Sequence, residues 1–194
     1  DDIAVELSAT DNAGNTRTVK KTYSFDTTKP SIRVSYDSKT DNNYYKETRT
    51  ATVTITDEHF MEKGVVLNVT NNGNKVSITP KFTTSDDKTF TMNIPFSEEG
   101  IYTFGVEAED RAGNKSSYKD DTEFTIDKTA PKLSISYDEA RAANDKYFNK
   151  TRVANILVDE LNFDDSQVHL TISATAGGSA PGLSSFSSSS THHT

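Results

Sequence analysis

Acidic side chains recur beside short turns of this chain, and their type and spacing suit cation binding. Asp110-Arg111-Ala112-Gly113-Asn114 is the clearest of these turns. Several converging carboxylates can hold a hard cation, whereas Asp and Asn in a turn also bond their own backbone without any metal. The residues alone leave both interpretations open, and the chain has no dense Asp-x-Asp-x-Asp run. The candidate ligands are Asp26, Asp57, Glu58, Asp110 and Asp127, supported by Asn114, Asp159 and Glu160.

Nucleophilic chemistry has little support in this sequence. The chain has no cysteine, which excludes disulfides, thiolate zinc sites and cysteine nucleophiles. Serine, histidine and acid occur in almost any chain, so their presence carries no weight. The stretch 177–181 resembles a nucleophile elbow but lacks the closing glycine. We therefore expect no enzymatic activity.

The charge balance narrows the range of partners. Asp and Glu number 29 against 21 Lys and Arg, giving a formal net charge of -8. A nucleic-acid surface needs clustered basic residues, so we expect no nucleic-acid partner. No apolar run approaches the roughly 18 residues that a membrane-spanning helix requires.

The sequence contains a long internal repeat, and the acidic turns recur within it. The offset between matching residues is 99 at the acidic turns (110 minus 11), 101 at the next Asp (127 minus 26) and 103 at a phenylalanine (163 minus 60). Small loop insertions explain the drift, and a period of about 100 residues is the size of one immunoglobulin-type domain. The repeat predicts the last strands of one unit at 1–26, a complete unit at 27–127, the first strands of a third at 128–175, and a disordered Gly/Ser-rich tail at 176–194.

The repeat also separates shared residues from single-copy ones. His59 matches Asn162, so a role common to both units cannot need an imidazole. The aromatic pairs Tyr44-Tyr45 and Tyr147-Phe148 match each other. Their recurrence favours a packing role over a carbohydrate-binding platform.

Within the complete unit, apolar and polar residues alternate with the period of half-buried strands. Asn71-Asn72-Gly73-Asn74 is typical of a hairpin turn, and one further strand is expected near 117–126. Tyr102 is placed as a tyrosine corner, with Phe104 where antibody domains carry cysteine. About seven strands and no helical periodicity predict an all-β, immunoglobulin-like, antiparallel Greek-key β-sandwich. The predicted inward residues are Ile32, Val34, Ala51, Val53, Ile55, Phe90, Met92, Tyr102, Phe104 and Val106.

These motifs carry a family resemblance over residues 1–175. An Asp-x-Ala-Gly-Asn hairpin, a strand ending in Asp, and then Thr27-Thr28-Lys29-Pro30 or Lys128-Thr129-Ala130-Pro131 resemble the tandem bacterial Ig-like repeats of large surface proteins and adhesins. The resemblance implies a cell-surface stalk that projects a distal functional domain, with neighbouring repeats as its partners. Two alternatives stay open: a module that binds a host protein or glycan, and an accessory domain of a secreted carbohydrate-active enzyme.

The fold gives the acidic residues a common location. In such a sandwich, the loop after the second strand and the turn before the last strand lie at the end where the N-terminal linker arrives. That places Asp26, Asp57, Glu58 and Asp110 together, with Asp127, Asp159 and Glu160 at the next junction. The resemblance adds support, since related arrays are known for calcium at such junctions. Ca²⁺ is therefore the predicted ion.

The two incomplete units raise a question of their own. A partial sandwich exposes apolar faces and strand edges. We expect 1–26 and 128–175 either to pair, within one chain or between copies, or to remain frayed.

Overall fold

The computed structural model describes residues 2–40, 42–138, 148, 150–173, 181–182, 184–189 and 192–193. The chain forms two compact units, Asp1–Lys128 and Thr129–Thr194. Across the described ranges the regular elements are strands and two single 3₁₀ turns, Glu62–Gly64 and Asp165–Gln167. None of the described helices has the length and apolar character needed to cross a membrane.

The first unit begins with an isolated antiparallel hairpin. Strand β1 (Asp2–Thr10) pairs with β2 (Thr16–Ser24) in a register that runs from Asp2 opposite Ser24 to Thr10 opposite Thr16. Both strands are exposed along their whole length. The hairpin therefore lies outside the core that follows.

The rest of the first unit is a two-sheet sandwich. One sheet has the order β3-β5-β9-β8, and the other has the order β4-β12-β10-β6-β7, with β11 also paired to β10. All the pairings are antiparallel except that between β12 and β4. In chain order the strands are β3 (Ser31–Tyr36), β4 (Tyr44–Tyr45), β5 (Arg49–Thr56), β6 (Val65–Asn71), β7 (Asn74–Val76), β8 (Thr83–Thr84), β9 (Thr89–Phe96), β10 (Gly100–Glu109), β11 (Lys115–Lys119) and β12 (Phe124–Ile126).

The predicted alternation is confirmed by the core of this sandwich. Successive side chains of a strand point to opposite faces, so every second residue of β5 and β10 enters the core. Phe96 and Phe104 pack edge-to-face near its centre, 5.6 Å between ring centroids. Burying one such side chain contributes about 1.5–3 kcal/mol. Members of the core are Ala51, Val53, Ile55, Val69, Ile94, Phe96, Tyr102, Phe104, Val106, Phe124 and Ile126.

Two local predictions are confirmed and one is corrected. Asn72 and Gly73 both have positive φ, as the tight hairpin between β6 and β7 requires. The Tyr102 hydroxyl donates to the Glu98 carbonyl oxygen at 3.0 Å, which is the tyrosine corner. The single strand expected near 117–126 is divided into β11 and β12, because residues 120–123 leave the sheet before Phe124 returns to the core.

The recurring aromatic residues close one edge of the core. Tyr45 is buried and meets the Phe124 ring at 6.1 Å. The Arg49 guanidinium lies 4.4 Å from the centroid of each of these rings. In the second unit Arg152 lies 4.2 Å from the Phe148 ring in the same manner. This packing accounts for the recurrence, while Tyr147 lies outside the described residues.

The second unit repeats the first two strands of the sandwich. Its sheet has the order β13-β14-β16-β15, formed by β13 (Lys132–Tyr137), β14 (Ala154–Asp159), β15 (Ser188–Ser189) and β16 (His192–His193). Within 176–194, which the sequence predicts to be a disordered tail, the structure describes the two short strands β15 and β16. Strand β16 pairs with the last two residues of β14, Val158 and Asp159. Residues 177–180 of the elbow-like stretch lie outside the described residues.

Candidate metal centre

Three carboxylates converge at one end of the first unit. Asp26, Asp57 and Asp110 each offer an oxygen atom, and these atoms lie within 4.8 Å of one another. Asp57 directly follows β5 and Asp110 directly follows β10, while Asp26 lies in the linker between β2 and β3. The two strand ends therefore meet the linker as predicted. Asp57 and Asp110 are 6% and 1% exposed, so water screens their charges weakly.

Asp110 also organises the turn between β10 and β11. Its Oδ1 accepts hydrogen bonds from the backbone N–H of Ala112 (2.8 Å) and of Asn114 (2.9 Å), and its Oδ2 accepts from Asn114 Nδ2 (2.8 Å). Burial opposes ionisation of this carboxyl, but these hydrogen bonds outweigh it and lower the pKa of Asp110. The turn interpretation of the sequence is therefore correct for Asp110, whether or not a cation binds.

The turn between β1 and β2 has the same geometry in the open. Asp11 accepts from Ala13 N (2.9 Å), Asn15 N (2.8 Å) and Asn15 Nδ2 (2.8 Å). These hydrogen bonds, chiefly those from Asn15, lower the pKa of Asp11. Asp11 is exposed. The turn itself needs neither burial nor neighbouring carboxylates, so the cluster around Asp110 is an additional feature.

Electrostatic repulsion in the cluster falls on Asp57. Burial raises the pKa of this carboxyl, and the charges of Asp110 and Asp26 raise it further. One hydrogen bond, from the His59 backbone N–H to Asp57 Oδ1 at 2.7 Å, acts in the opposite direction. A bound cation would remove this repulsion, because the ionised form would gain a positive neighbour.

His59 contacts the same cluster, in a role that the repeat shows is not shared by both units. Its Nδ1 lies 2.8 Å from Asp26 Oδ2, and its carbonyl oxygen accepts from Arg111 N at 3.0 Å. His59 thus connects the loop after β5 to the linker and to the turn before β11. The signal available in the sequence was its position two residues after Asp57, in a loop expected to meet the linker.

Glu58 does not join the cluster, and Asp127, which the sequence assigns to the next junction, lies away from it. Glu58 points away from its neighbour Asp57 and forms an exposed ion pair with Lys88. Glu58 lies in the turn that follows β5, so that turn sets the direction of its side chain. Asp127 follows β12, and its backbone N–H donates to the Tyr45 carbonyl oxygen at 2.9 Å, at the opposite end of the sandwich.

The second unit keeps part of the local pattern. The Asn162 backbone N–H donates to Glu160 Oε1 at 3.0 Å, as His59 does to Asp57. Glu160 therefore takes the place of Asp57 in the repeat. Asp159, which the sequence also offered, is the last residue of β14.

The cluster is an all-oxygen donor set, and its three carboxylates carry one negative charge each when ionised. Hard cations take six to eight oxygens, so three carboxylates of Asp26, Asp57 and Asp110 would supply part of a shell that carbonyl groups and water complete. The arrangement suits charge neutralisation. It holds no nucleophile poised by a general base.

Two family models match this sequence. A bacterial Ig-like domain model covers residues 26–128, and a model of bacterial Ig-like domain group 3 covers residues 86–191. Each match spans more than half of the 194 residues. This chain belongs to the bacterial Ig-like domain family. No curated protein and no solved structure matches it.

Membership of this family indicates where such domains usually occur and what general role they have. Bacterial Ig-like domains usually occur in extracellular or surface proteins and are typically non-catalytic modules. The immunoglobulin-like sandwich predicted from the sequence is confirmed. A structural role in a surface protein is compatible with these findings.

The two linkers of this Ig-like domain are fastened at opposite ends. At the incoming end, Asn114 Nδ2 donates to the Asp26 carbonyl oxygen at 3.1 Å, and Ser116 Oγ donates to the Pro30 carbonyl oxygen. At the outgoing end, Lys128 N donates to Glu99 Oε1 at 2.8 Å, and Lys128 Nζ donates to the Ser97 carbonyl oxygen at 2.6 Å. The first end lies where β5 and β10 finish, and the second lies where they begin. Eight residues of β5 separate these ends by about 25 Å.

Proposed function

We propose that this chain is a structural spacer of a bacterial surface protein, a stalk segment that holds a distal functional domain away from the cell. One observation carries the proposal: the complete domain receives the chain at one end and releases it at the other. A linker that is hydrogen-bonded to its domain transmits direction and load, because the junction cannot bend without breaking those bonds.

The incoming junction carries the stronger fastening. Asp26 contributes its backbone carbonyl to Asn114 and its side chain to His59, so the linker is held against both loops of that end. Proline restricts the backbone, and Pro30 is buried where β3 starts. These features favour a semi-rigid junction over a flexible one.

We further propose that Ca²⁺ binds between Asp26, Asp57 and Asp110. The ion would connect the linker to the ends of β5 and β10 and would relieve the repulsion that raises the pKa of Asp57. The result would be a stiffer incoming junction when calcium is abundant, as it is outside cells. Melting the chain in calcium and in EDTA tests this part of the proposal.

The spacer role is tested by pulling the chain through its two termini in a single-molecule experiment. We expect one cooperative unfolding step that releases roughly 330–360 Å of chain, the contour length of about 100 residues. Ser116→Ala should lower the unfolding force, because Ser116 fastens Pro30. Ser117→Ala is the matched control, since Ser117 faces outward on the same strand. A gradual extension without a resolved step would contradict the spacer role.

A binding role has one observation in its favour. A groove of about 420 Å³ lies on the outer face of β6, β10 and β11, over Gly105. Gly105 corresponds to Glu6 in the first repeat, so the groove belongs to the complete domain alone. Its lining suits a hydroxyl-rich ligand such as a glycan. Polar residues that line it include Asn68, Thr70, Lys75, Thr103, Glu107, Ser117 and Lys119.

Immobilised glycans test this second role. Specific binding that Glu107→Gln weakens and the exposed control Glu123→Gln does not would favour a binding module. Equal retention of both variants, or no retention of the parent chain, would leave only the spacer role.

A further inference from the structure

Two tyrosines from opposite sheets of the complete domain hold the same carboxyl group. Tyr36 is the last residue of β3, and its hydroxyl donates to Oδ2 of Asp120. Tyr118 lies on β11, and its hydroxyl donates to Oδ1 of Asp120 at 2.6 Å. Strands β3 and β11 belong to the two different sheets of the sandwich. The two hydroxyl groups are therefore neighbours, separated by one carboxyl group.

The surroundings of this pair fix its position without sealing it from solvent. The Arg49 guanidinium lies 3.6 Å from the centroid of the Tyr36 ring, and the buried Phe124 ring meets the Tyr36 ring edge-to-face at 6.0 Å. Tyr36, Tyr118 and Asp120 are each half-buried. The pair therefore keeps a defined geometry while a small oxidant can still approach it.

The ionic chemistry of the two hydroxyls is suppressed. Burial raises the pKa of Tyr36 and the hydrogen bond to Asp120 raises it further, while the charge of Arg49 acts in the opposite direction. Burial, followed by the hydrogen bond to Asp120, raises the pKa of Tyr118 to about 12. Both tyrosines therefore keep their protons at neutral pH, and each proton faces an ionised carboxylate.

Loss of an electron reverses this preference. A phenol that loses one electron becomes a strong acid, so a base that already accepts its hydrogen bond makes the loss easier, because the proton leaves with the electron. Cysteine and tryptophan compete with tyrosine for one-electron oxidants, and the chain has neither. Among the tyrosines that the structure describes, Tyr36 and Tyr118 are the two whose hydroxyls share a carboxylate.

We propose that Tyr36 and Tyr118 are a site of oxidative cross-linking, at which hydrogen peroxide and a haem peroxidase join the two rings as dityrosine. One tyrosine gives its electron to the oxidant and its hydroxyl proton to Asp120, and the other gives its electron to the oxidant and its proton to water. A carbon–carbon bond forms between the ring carbons next to the hydroxyls. The hydrogen on each of these carbons moves to the phenol oxygen, so both phenols are restored. The peroxide takes up the two electrons and two protons and becomes two molecules of water.

The link would join the two sheets at the edge where the chain enters the domain. It ties the end of β3 to β11 and closes a loop from Tyr36 to Tyr118. A cross-link restricts the unfolded chain, and the restriction grows with the length of the closed loop. The inference does not depend on the spacer role, because the link forms inside one domain whatever that domain does.

Peroxidase treatment of the full chain tests the proposal. After oxidation with hydrogen peroxide, the monomer is isolated by size exclusion, so that any link in it is intramolecular. We expect dityrosine fluorescence, a mass lower by two hydrogen atoms, and a linked peptide pair that contains Tyr36 and Tyr118. Tyr36→Phe and Tyr118→Phe should each abolish the link, whereas Tyr44→Phe should keep it, since Tyr44 is an exposed tyrosine on β4. Calorimetry of each variant confirms that the domain is folded before oxidation.

Replacing the carboxylate tests its part as proton acceptor. Asp120→Asn keeps an oxygen that can accept a hydrogen bond but removes the base, so the link should form more slowly by roughly tenfold or more. Asp121→Asn makes the same change of charge at the next residue, which is exposed, and should leave the rate near that of the parent chain. Equal rates for Asp120→Asn and the parent chain would overturn the role of Asp120.

Pulling the oxidised monomer through its termini gives a second readout. Only the stretches 27–36 and 118–127, about 20 residues, lie outside the closed loop, so the unfolding step should shorten about fivefold, from roughly 330–360 Å to roughly 66–72 Å. Three outcomes would overturn the proposal. They are an oxidised monomer without dityrosine, a link that joins other tyrosines or persists in Tyr36→Phe, and an unfolding step of full length in the cross-linked chain.

Discussion

Replacing Asp57 by Asn should stabilise the calcium-free protein in EDTA. It should also abolish the stabilisation that calcium brings. The change keeps the shape of the side chain and an oxygen that can accept from the His59 backbone N–H. It removes one of three carboxylate charges whose oxygens lie within 4.8 Å of one another. The substitution therefore isolates repulsion from packing and from the turn that Asp110 organises.

The size of the effect follows from the distances. Carboxylate oxygens within 4.8 Å repel by about 0.9 kcal/mol per pair at the dielectric of water and by about 3.5 kcal/mol at an effective dielectric near 20. The true value lies between these limits, because Asp26 is only partly buried and His59 lies beside it. Even about 1 kcal/mol would raise the melting temperature of a domain of this size by roughly 4–8 °C.

Calcium should reverse the order of the two proteins. An ion present at about a hundred times its dissociation constant stabilises the folded state by roughly 2.7 kcal/mol. The parent chain should gain this stabilisation and the Asp57→Asn variant should not. Calorimetry in EDTA and in millimolar calcium measures both quantities, with Glu58→Gln as a control that removes a neighbouring charge outside the cluster.

The pH dependence of the free energy of unfolding measures the same repulsion independently. The pKa of Asp57 is raised on folding, so its contribution to stability is present at low pH and is lost as pH rises through the raised pKa. In EDTA the free energy of unfolding of the parent chain, relative to that of the variant, should therefore fall as pH rises through the raised pKa of Asp57.

Three calorimetric outcomes would contradict these expectations. A lower melting temperature for Asp57→Asn in EDTA would mean that the ionised cluster is not repulsive. An equal calcium shift in both proteins would place the ion elsewhere. If calcium left the parent chain unchanged but the variant still melted higher in EDTA, the repulsion would stand and the cation site would not.

Three further predictions follow from other contacts. Asp110→Asn relieves repulsion in the cluster as Asp57→Asn does but loses the charged hydrogen bonds of its turn, so in EDTA its free energy of unfolding should lie about 1–3 kcal/mol below that of Asp57→Asn by calorimetry, whereas Asp11→Asn, in the equivalent exposed turn, should leave the main calorimetric transition in place. Burial and a hydrogen bond to Asp120 raise the pKa of Tyr118 to about 12, so tyrosinate absorbance should develop late and stability should fall as pH rises through that value; Asp120→Asn should shift the titration to lower pH. Tyr102→Phe should cost about 0.5–1.5 kcal/mol in denaturant titration, since only the hydrogen bond to the Glu98 carbonyl is lost.

The fold was accessible from the sequence because each of its signals is local or repeated. Alternation along β5 and β9, the Asn-Gly turn and the tyrosine corner each depend on a few neighbouring residues. The fold class places the ends of β5 and β10 beside the incoming linker, so Asp26, Asp57 and Asp110 could be predicted to lie together. The direction of the Glu58 side chain could not, because it depends on where β5 ends to within one residue.

The role of His59 escaped for a different reason. The repeat identifies only residues that both units share, and the second unit has Asn162 in place of His59. The His59 side chain reaches Asp26 in the linker, and Asp26 recurs as Asp127 whereas the imidazole does not recur. A contact specific to one junction is invisible to any argument from recurrence. The tail was missed for another reason: β16 pairs with β14 in the register of β9 on β5, but the Gly/Ser-rich composition of the tail hides that correspondence.

The two acidic turns allow the turn and the cluster to be separated. Asp11 and Asp110 accept the same three hydrogen bonds at nearly equal distances, so the turn fully explains why Asp stands at both positions. The turn does not explain why Asp110 is buried against two further carboxylates, an arrangement that costs free energy when all three are ionised. Asp57 is the residue that the turn does not require. A cation-binding role for the cluster therefore depends on Asp57 and Asp26, because Asp110 alone belongs to a turn that forms as well in the open at Asp11.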